Sequence, residues 1–277
     1  PAAPDVARER PVTAADLDWR STLASSGNKP LSSGEPTPRD PAPSERGGHE
    51  HPDTEPAAPA SNAAPSTRGV AAPSGLVVNA DEGELFGGPI SRASSLEEIA
   101  AMIETCTRCP LYKTATHAVP GEGNPHAELM CVGEAPGATE DETGRPFVGA
   151  AGQLLTKILA AINLKREDVY ITNVLKHRPP GNRNPMPDEV TACRPYLVRQ
   201  IELIRPKVIL AFGTFAAQSL LDTKLALGKL RGAVHRYHGI PVVVTYHPAA
   251  LLRNPAWKRP TWEDVQLARR ILDNASA

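Results

Sequence analysis

Aromatic residues are scarce in this chain, 12 of 277, and cysteine is scarcer still at four. No apolar run approaches the ~20 residues that a membrane-spanning helix needs. No basic segment followed by an apolar stretch opens the sequence, so neither a span nor a secretory leader is expected. The longest apolar stretches, Val208–Phe212 and Ile240–Val244, have the length of buried strands. Cys106, Cys109, Cys131 and Cys193 are too few and too scattered for a secreted disulfide scaffold. The thiols are therefore expected to be reduced or metal-bound, and the protein cytoplasmic.

Proline is abundant instead. There are 29, about double the usual ~5% share, and 13 of them fall in residues 1–80. Charge divides at nearly the same place. Residues 1–90 hold 7 Lys and Arg against 13 Asp and Glu, net −6, whereas residues 91–277 hold 23 against 18, net +5. The overall −1 is an average of two unlike pieces. Residues 27–90 are rich in Pro, Ser, Gly and Ala, with too few β-branched or aromatic side chains to offset chain entropy. Within residues 14–25, Leu17, Trp19 and Leu23 have the spacing of a short helix. The expected organisation is a disordered acidic tail over residues 1–90 and one folded domain over residues 91–277.

From about residue 94 the pattern becomes regular. Ser95 can cap a helix running to Glu104. Strands are predicted at Glu128–Gly133, Val169–Asn173 and Lys207–Phe212, with a hairpin-like pair at Val234–His238 and Pro241–Thr245. Helices are predicted at Ala150–Ile162, Asp188–Ile204, Thr214–Leu221 and Thr261–Leu272. Strands alternating with helices of this length imply an α/β fold, a parallel sheet covered on both faces. Ligands in such folds bind beyond the carboxyl ends of the strands. The loops beginning at Gly133, Asn173, Gly213 and Tyr246 should thus line one crevice.

Four constellations carry chemistry. Cys106-Thr-Arg-Cys109 has the C-x2-C spacing that brings two thiolates to one metal centre. The remaining ligands would come from Cys193 with either His177 or Cys131, and structural zinc and an iron–sulfur cluster are both compatible with such a set. Next, Gly133-Glu-Ala-Pro-Gly137 follows a strand but is neither a dinucleotide fingerprint nor a P-loop. Its glycines permit close approach to backbone, while Glu134 and Glu140 point to water or proton handling. Asn173, at a strand end, can offer a donor and an acceptor to a base edge. Lys176, Arg178 and Arg183 follow it in a stiff Pro/Gly/Asn loop suited to phosphate contact. Finally, His247 follows a strand, and Leu251, Leu252 and Arg253 come after it in what reads as a loop. Apolar loop residues beside a cation can wedge between base steps.

Taken in order, these runs resemble a known family. Cys106-x2-Cys109-Pro-Leu, Gly-Glu-Ala-Pro-Gly, Gly-Arg-Pro-Phe-Val-Gly, Ile-Thr-Asn-Val-Leu-Lys, Arg-Pro-Pro-Gly-Asn-Arg, Cys193-Arg-Pro-Tyr-Leu and His247-Pro-Ala-Ala-Leu-Leu-Arg are similar to motifs of family 4 uracil-DNA glycosylases, the iron–sulfur members of that superfamily. The likeness covers about residues 95–273. It implies a three-layer αβα fold with a central, mainly parallel four-stranded sheet, acting as a monomer on single- or double-stranded DNA containing uracil. The implied reaction is hydrolysis of the N-glycosidic bond of deoxyuridine.

Residue by residue, the resemblance implies that Glu134 positions water or stabilises positive charge on the sugar. Gly133 and Ala135 would line the base site, and Glu140 would stand near uracil C5. Phe147 would stack on the flipped base, Asn173 pair with its edge, and His247 hydrogen-bond uracil O2. Leu251, Leu252 and Arg253 would fill the gap left by that base. One position departs from the family, which has cysteine where His177 stands. The implied [4Fe–4S] cluster is then held by Cys106, Cys109, His177 and Cys193, with Cys131 in the core. A covalent or non-catalytic uracil-DNA-binding iron–sulfur protein, similar to a uracil-trapping subgroup, is the alternative. That subgroup carries Gln where Ala135 stands and has a basic loop with a histidine, whereas Arg178–Pro187 here contains none.

Overall fold

The computed structural model describes residues 74–79 and 88–275, so the helical spacing at residues 14–25 lies outside the described residues. Strands are β1 (Ser74–Val78), β2 (Glu122–Gly123), β3 (Leu129–Gly133), β4 (Tyr170–Asn173), β5 (Val208–Phe212), β6 (Val234–Tyr237) and β7 (Ile240–Thr245). Helices are α1 (Pro89–Arg92), α2 (Leu96–Glu104), α3 (Ala138–Thr143), α4 (Ala150–Ala161), α5 (Pro187–Ile204), α6 (Thr214–Leu221), α7 (Leu227–Leu230), α8 (Pro248–Arg253) and α9 (Lys258–Ala275).

Among the described residues the strands form one sheet in the order β1-β6-β7-β5-β3-β4-β2. Its middle is the expected parallel set of four, β7-β5-β3-β4. The sheet as a whole has seven strands rather than four. β6 lies antiparallel to β7 as the predicted hairpin partner, and the two-residue β2 lies antiparallel to β4. The third addition, β1, falls within the segment expected to be disordered. It runs parallel to β6, where the Leu76 N–H donates to His235 Nδ1 at 2.9 Å and the His238 N–H donates to the Val78 carbonyl at 2.7 Å. Gly75 makes the pairing possible, because a Cβ there would fall 2.4 Å from His235 Nδ1. A few β-branched residues at the end of a Pro-rich stretch were enough to extend the sheet, so the folded part starts before residue 91.

Period-2 alternation divides the strands between two layers. Met130, Val132, Ile209, Ala211, Val242 and Val244 share one core with Leu197 and Ile201 of α5 and Ala216 and Leu220 of α6. The alternate residues Cys131, Leu210 and Val243 are equally buried and face the other way. On that side α9 crosses β5 and β7. Local signals set the helix ends. Ser95 Oγ accepts the Glu98 N–H at 3.2 Å at the start of α2. Pro187 occupies the first turn of α5, where a missing N–H costs nothing. The segment Pro248–Arg253, expected as loop, is the short helix α8. No helix among the described residues is long and apolar enough to cross a membrane.

Candidate active site

The carboxyl ends of β3, β4 and β7 open into one cleft of about 370 Å³. Eight of the predicted site residues line it: Glu134, Ala135, Glu140, Phe147, Asn173, Arg183, His247 and Arg253. Gly133 lies directly behind them. A Cβ on Gly133 would fall 2.4 Å from Asn173 Oδ1 and 2.5 Å from Phe147 Cζ, so only glycine lets this amide and this ring meet. Asn173 is 2% exposed, and its Oδ1 has no hydrogen-bond partner among the described residues. A buried oxygen without a partner costs about 1–3 kcal/mol. Here it faces a cavity, so a ligand donor can recover that cost.

Phe147 is held in a conformation rare for a residue with a side chain, φ +51°. Strain of this kind, about 1–3 kcal/mol, persists only where the surroundings impose it. Arg166 imposes it by donating to the Phe147 carbonyl at 2.9 Å and to the Pro146 carbonyl. Gly152 admits the loop, since a Cβ there would overlap the Phe147 carbonyl oxygen at 1.7 Å. The ring then packs beside His247, centroids 5.4 Å apart, and Phe212. Glu140 fixes the next residues. Its Oε1 accepts the N–H groups of Val148 and Gly149, both at 2.9 Å, at the start of α4.

His247 has a defined tautomer. Its Nδ1 accepts the Ala249 N–H at 3.2 Å, which leaves the proton on Nε2. Burial, aided by the charge of Arg253, pulls its pKa down to about 4, so the ring is neutral at pH 7. Just after β5, Gly213 takes φ +89°, and a Cβ added there would fall 3.2 Å from the His247 Cβ. The cleft therefore presents a neutral N–H donor. Burial raises the pKa of Glu134 above its ordinary value.

Two residues expected on the DNA side are elsewhere. Lys176 is not a surface cation but a buried one, 1% exposed. Its ammonium donates to Thr172 Oγ1 at 2.7 Å, the Asn173 carbonyl at 2.7 Å and Gln200 Oε1 at 2.8 Å, so it cannot contact phosphate. Burial pushes its pKa down to about 7. Gln200 passes the network on to the Pro120 carbonyl and Tyr170 Oη. Leu251 is likewise no wedge. Once Pro248–Arg253 is helical, Leu251 turns into the core at 1% exposure while Leu252 points out at 40%. Arg183 lines the cleft with its guanidinium already on Glu189, at 2.5 and 2.9 Å. Arg178 donates to Asn182 Oδ1 at 2.7 Å and stands 3.9 Å from Asp141. Asn182, Asn184 and Ala249 also line the cleft and were not anticipated. The run Gly-Asn-Arg-Asn-Pro carried that signal for the two asparagines.

The cysteines separate into two groups. Cys109 and Cys193 touch: the Cys193 thiol donates to Cys109, which lowers the Cys109 pKa to about 6. The backbone of Lys176, next to His177, hydrogen-bonds Cys193. Cys106 is linked to Tyr196, one turn after Cys193 on α5. Arg108 ties the C-x2-C turn to the same helix by donating to the Ala192 carbonyl at 3.1 Å. Cys131 lies apart on the central strand, turned to the opposite face of the sheet, and burial lifts its pKa to about 12. Among the described residues no three His, Cys, Asp or Glu side chains are close enough to hold a single metal ion.

The family model of the Uracil DNA glycosylase superfamily matches residues 120–267. A type-4 uracil-DNA glycosylase of Archaeoglobus fulgidus is 53% identical over 169 residues, 58% of this chain and 85% of that protein. The type-4 uracil-DNA glycosylase of Thermotoga maritima is 44% identical over 186 residues, 66% of this chain and 97% of that protein. A type-5 uracil-DNA glycosylase of Pyrobaculum aerophilum is 35% identical over 188 residues, 56% of this chain and 83% of that protein. With the parallel four-strand centre and the cleft at its carboxyl ends, these matches lead to one conclusion: the chain belongs to the uracil DNA glycosylase superfamily.

Proposed function

We propose that this chain removes uracil from DNA by hydrolysing the N-glycosidic bond of deoxyuridine, leaving an abasic site. The observation that carries the reading is the buried, unpartnered Asn173 Oδ1 in a cleft that also holds a neutral His247. Uracil offers an N3–H donor to Asn173 and an O2 acceptor to His247 Nε2–H. As the C1′–N1 bond breaks, its electron pair moves onto the base and collects at O2. A donor fixed there beforehand stabilises that charge without reorganising, an effect worth about 3–4 kcal/mol. Water adds its oxygen to C1′ and keeps one proton as the sugar hydroxyl, while the other passes to Glu134 and eventually to the departing base anion. Phe147 stacks on the base. Glu140, immobilised by two amides, closes the side where a thymine methyl group would project. Leu252 and Arg253 occupy the gap opened by base flipping, whose cost of a few kcal/mol is smaller for mispaired bases.

The same reading assigns a [4Fe–4S] cluster to Cys106, Cys109, His177 and Cys193. Three thiols gathered along one end of α5, with His177 next in sequence to Lys176, whose backbone hydrogen-bonds Cys193, suit its donor set. A cluster spaces its ligands more widely than a single ion does. When bound it would tie the C-x2-C turn, α5 and the loop after β4 together; the hydrolysis transfers no electrons. Cys131, buried on the opposite face of the sheet, is left in the core on this reading. The reading further has the protein act as a monomer in the cytoplasm, where thiols stay reduced.

Excision from oligonucleotides containing U, T, hypoxanthine or xanthine tests the function. Wild type is expected to yield alkali-labile sites at uracil in excess of enzyme, with Asn173→Ala strongly impaired. An adduct resistant to denaturant would favour the uracil-trapping alternative, and absence of excision at every base would remove the enzyme reading.

A further inference from the structure

Next to the cleft is a three-layer stack that the reaction does not use. Tyr246, the residue before His247, lies parallel to Trp257 with ring centroids 4.7 Å apart and planes 6° apart. The Arg231 guanidinium covers the other face of Tyr246 at 4.3 Å. Arg231 is itself fixed, on Asp264 at 2.7 Å and on the Pro260 carbonyl at 2.8 Å. Trp257 is also held through its backbone. Its N–H donates to the Asn254 carbonyl at 3.2 Å, and Thr261 Oγ1 donates to the Trp257 carbonyl at 2.8 Å. Trp257 is nevertheless 37% exposed, and among the described residues no ring other than Tyr246 stacks on it and no cation lies over it. A fixed aromatic that is stacked by one ring and still partly exposed is suited to receive one further flat ring.

Position and charge indicate which ring. Arg253, at the end of α8, lines the cleft, and Trp257 follows within the next turn of chain. Leu252 and Trp257 are among the few large apolar side chains exposed on the described surface, and they flank Arg253 on either side in sequence. Arg259, 90% exposed and 3.5 Å from the exposed Glu263 carboxylate, follows two residues after Trp257 in sequence. Aromatic faces interleaved with cations along one track are what a single strand of nucleic acid needs, bases on the rings and phosphates on the cations.

We propose that the exposed side of Trp257 stacks an unpaired base of the DNA strand where it leaves the cleft, a second base position beside the catalytic one. The inference rests on the uracil-DNA reading of the cleft. Tyr246 and Arg231 act as positioning residues that hold the platform flat.

The test uses the full chain and a single-stranded oligonucleotide with a central tetrahydrofuran abasic analogue, which is not cleaved. Trp257→Ala is expected to weaken binding about tenfold, and Trp257→Phe, which keeps an aromatic face, by no more than about threefold. Binding should quench tryptophan fluorescence in wild type and leave Trp257→Phe, which retains Trp19 and Trp262, unquenched. Equal affinities for wild type and Trp257→Ala, or equal quenching in wild type and Trp257→Phe, would overturn the proposal. Trp257→Phe keeps the question decidable if the alanine variant misfolds. Uracil release by wild type is assayed separately. Its absence would count against the glycosylase reading while the stacking result stayed readable.

Discussion

Gly133 and Asn173 are adjacent across the β3–β4 pair, and the missing Cβ of one is the space that the Oδ1 of the other occupies. A methyl group there would displace the amide and the Phe147 ring together. Gly133→Ala is therefore expected to lower uracil excision about a hundredfold through misplacement of the base site. Its circular dichroism should stay native. Full activity in a folded Gly133→Ala protein would contradict the account of the cleft.

His247 and Glu134 should divide the pH dependence. His247, with its pKa held down to about 4, remains a neutral donor throughout the mildly acidic range. Glu134, raised by burial above 4.5, takes up its proton first as pH falls. The acid limb of kcat/KM is expected to lie above pH 4.5 and to vanish in Glu134→Gln. For folding, the unfolded chain binds a proton at His247 near pH 6.5 and the native protein only near pH 4. The stabilising contribution is thus complete above pH 6.5 and lost as pH falls towards 4. Thermal melts of His247→Gln should decline less across that window than those of wild type.

Lys176 and Arg253 test whether a cation's burial decides its role. Removing the Lys176 ammonium takes a donor from the Asn173 carbonyl and leaves Gln200 Oε1 with only the 3.4 Å bond from Thr172 Oγ1, at a cost of about 2–4 kcal/mol. Lys176→Met should melt earlier, with the salt dependence of DNA binding unchanged. Arg253→Ala is expected to do the reverse, keeping stability and reducing the salt slope by about one. A shallower salt slope in Lys176→Met would restore the phosphate contact read from sequence.

The two leucines of α8 should differ in the same way. Leu251→Ala empties part of the core and is expected to cost about 2–5 kcal/mol, measured by denaturant unfolding. Leu252→Ala should leave stability within about 0.5 kcal/mol and slow excision from duplex more than from single strands. Equal effects on both substrates would argue against a wedge.

Iron analysis distinguishes the candidate ligands. Cys109→Ala and Cys193→Ala are expected to lose iron and visible absorbance, as is His177→Ala, while Cys131→Ala should keep both. Iron retained in His177→Ala but lost in Cys131→Ala would reverse the assignment.

Much of this was legible from local pattern. Short apolar runs alternating with helical segments placed β3, β4, β5 and β7, and loops following parallel strands put Glu134, Asn173 and His247 at one crevice. Their chemistry was equally legible, because carboxylate, amide and imidazole keep their character wherever they stand. What a one-dimensional reading lacked was direction and partners. Nothing in Lys176-His-Arg says that the lysine turns inward onto Gln200, 24 residues on, while Arg178 stays near the surface. Leu251 and Leu252 are the same residue twice, and only the register of α8 against the core sends one in and the other out. Edge strand β1 was hidden because composition averages over a window, whereas pairing with β6 needs only five residues. Sequence alone determined the α/β class, the crevice and the chemical groups it offers. The tertiary structure decided which cations and apolar side chains remain free to meet a ligand, because burial and hydrogen bonding across distant segments set that availability.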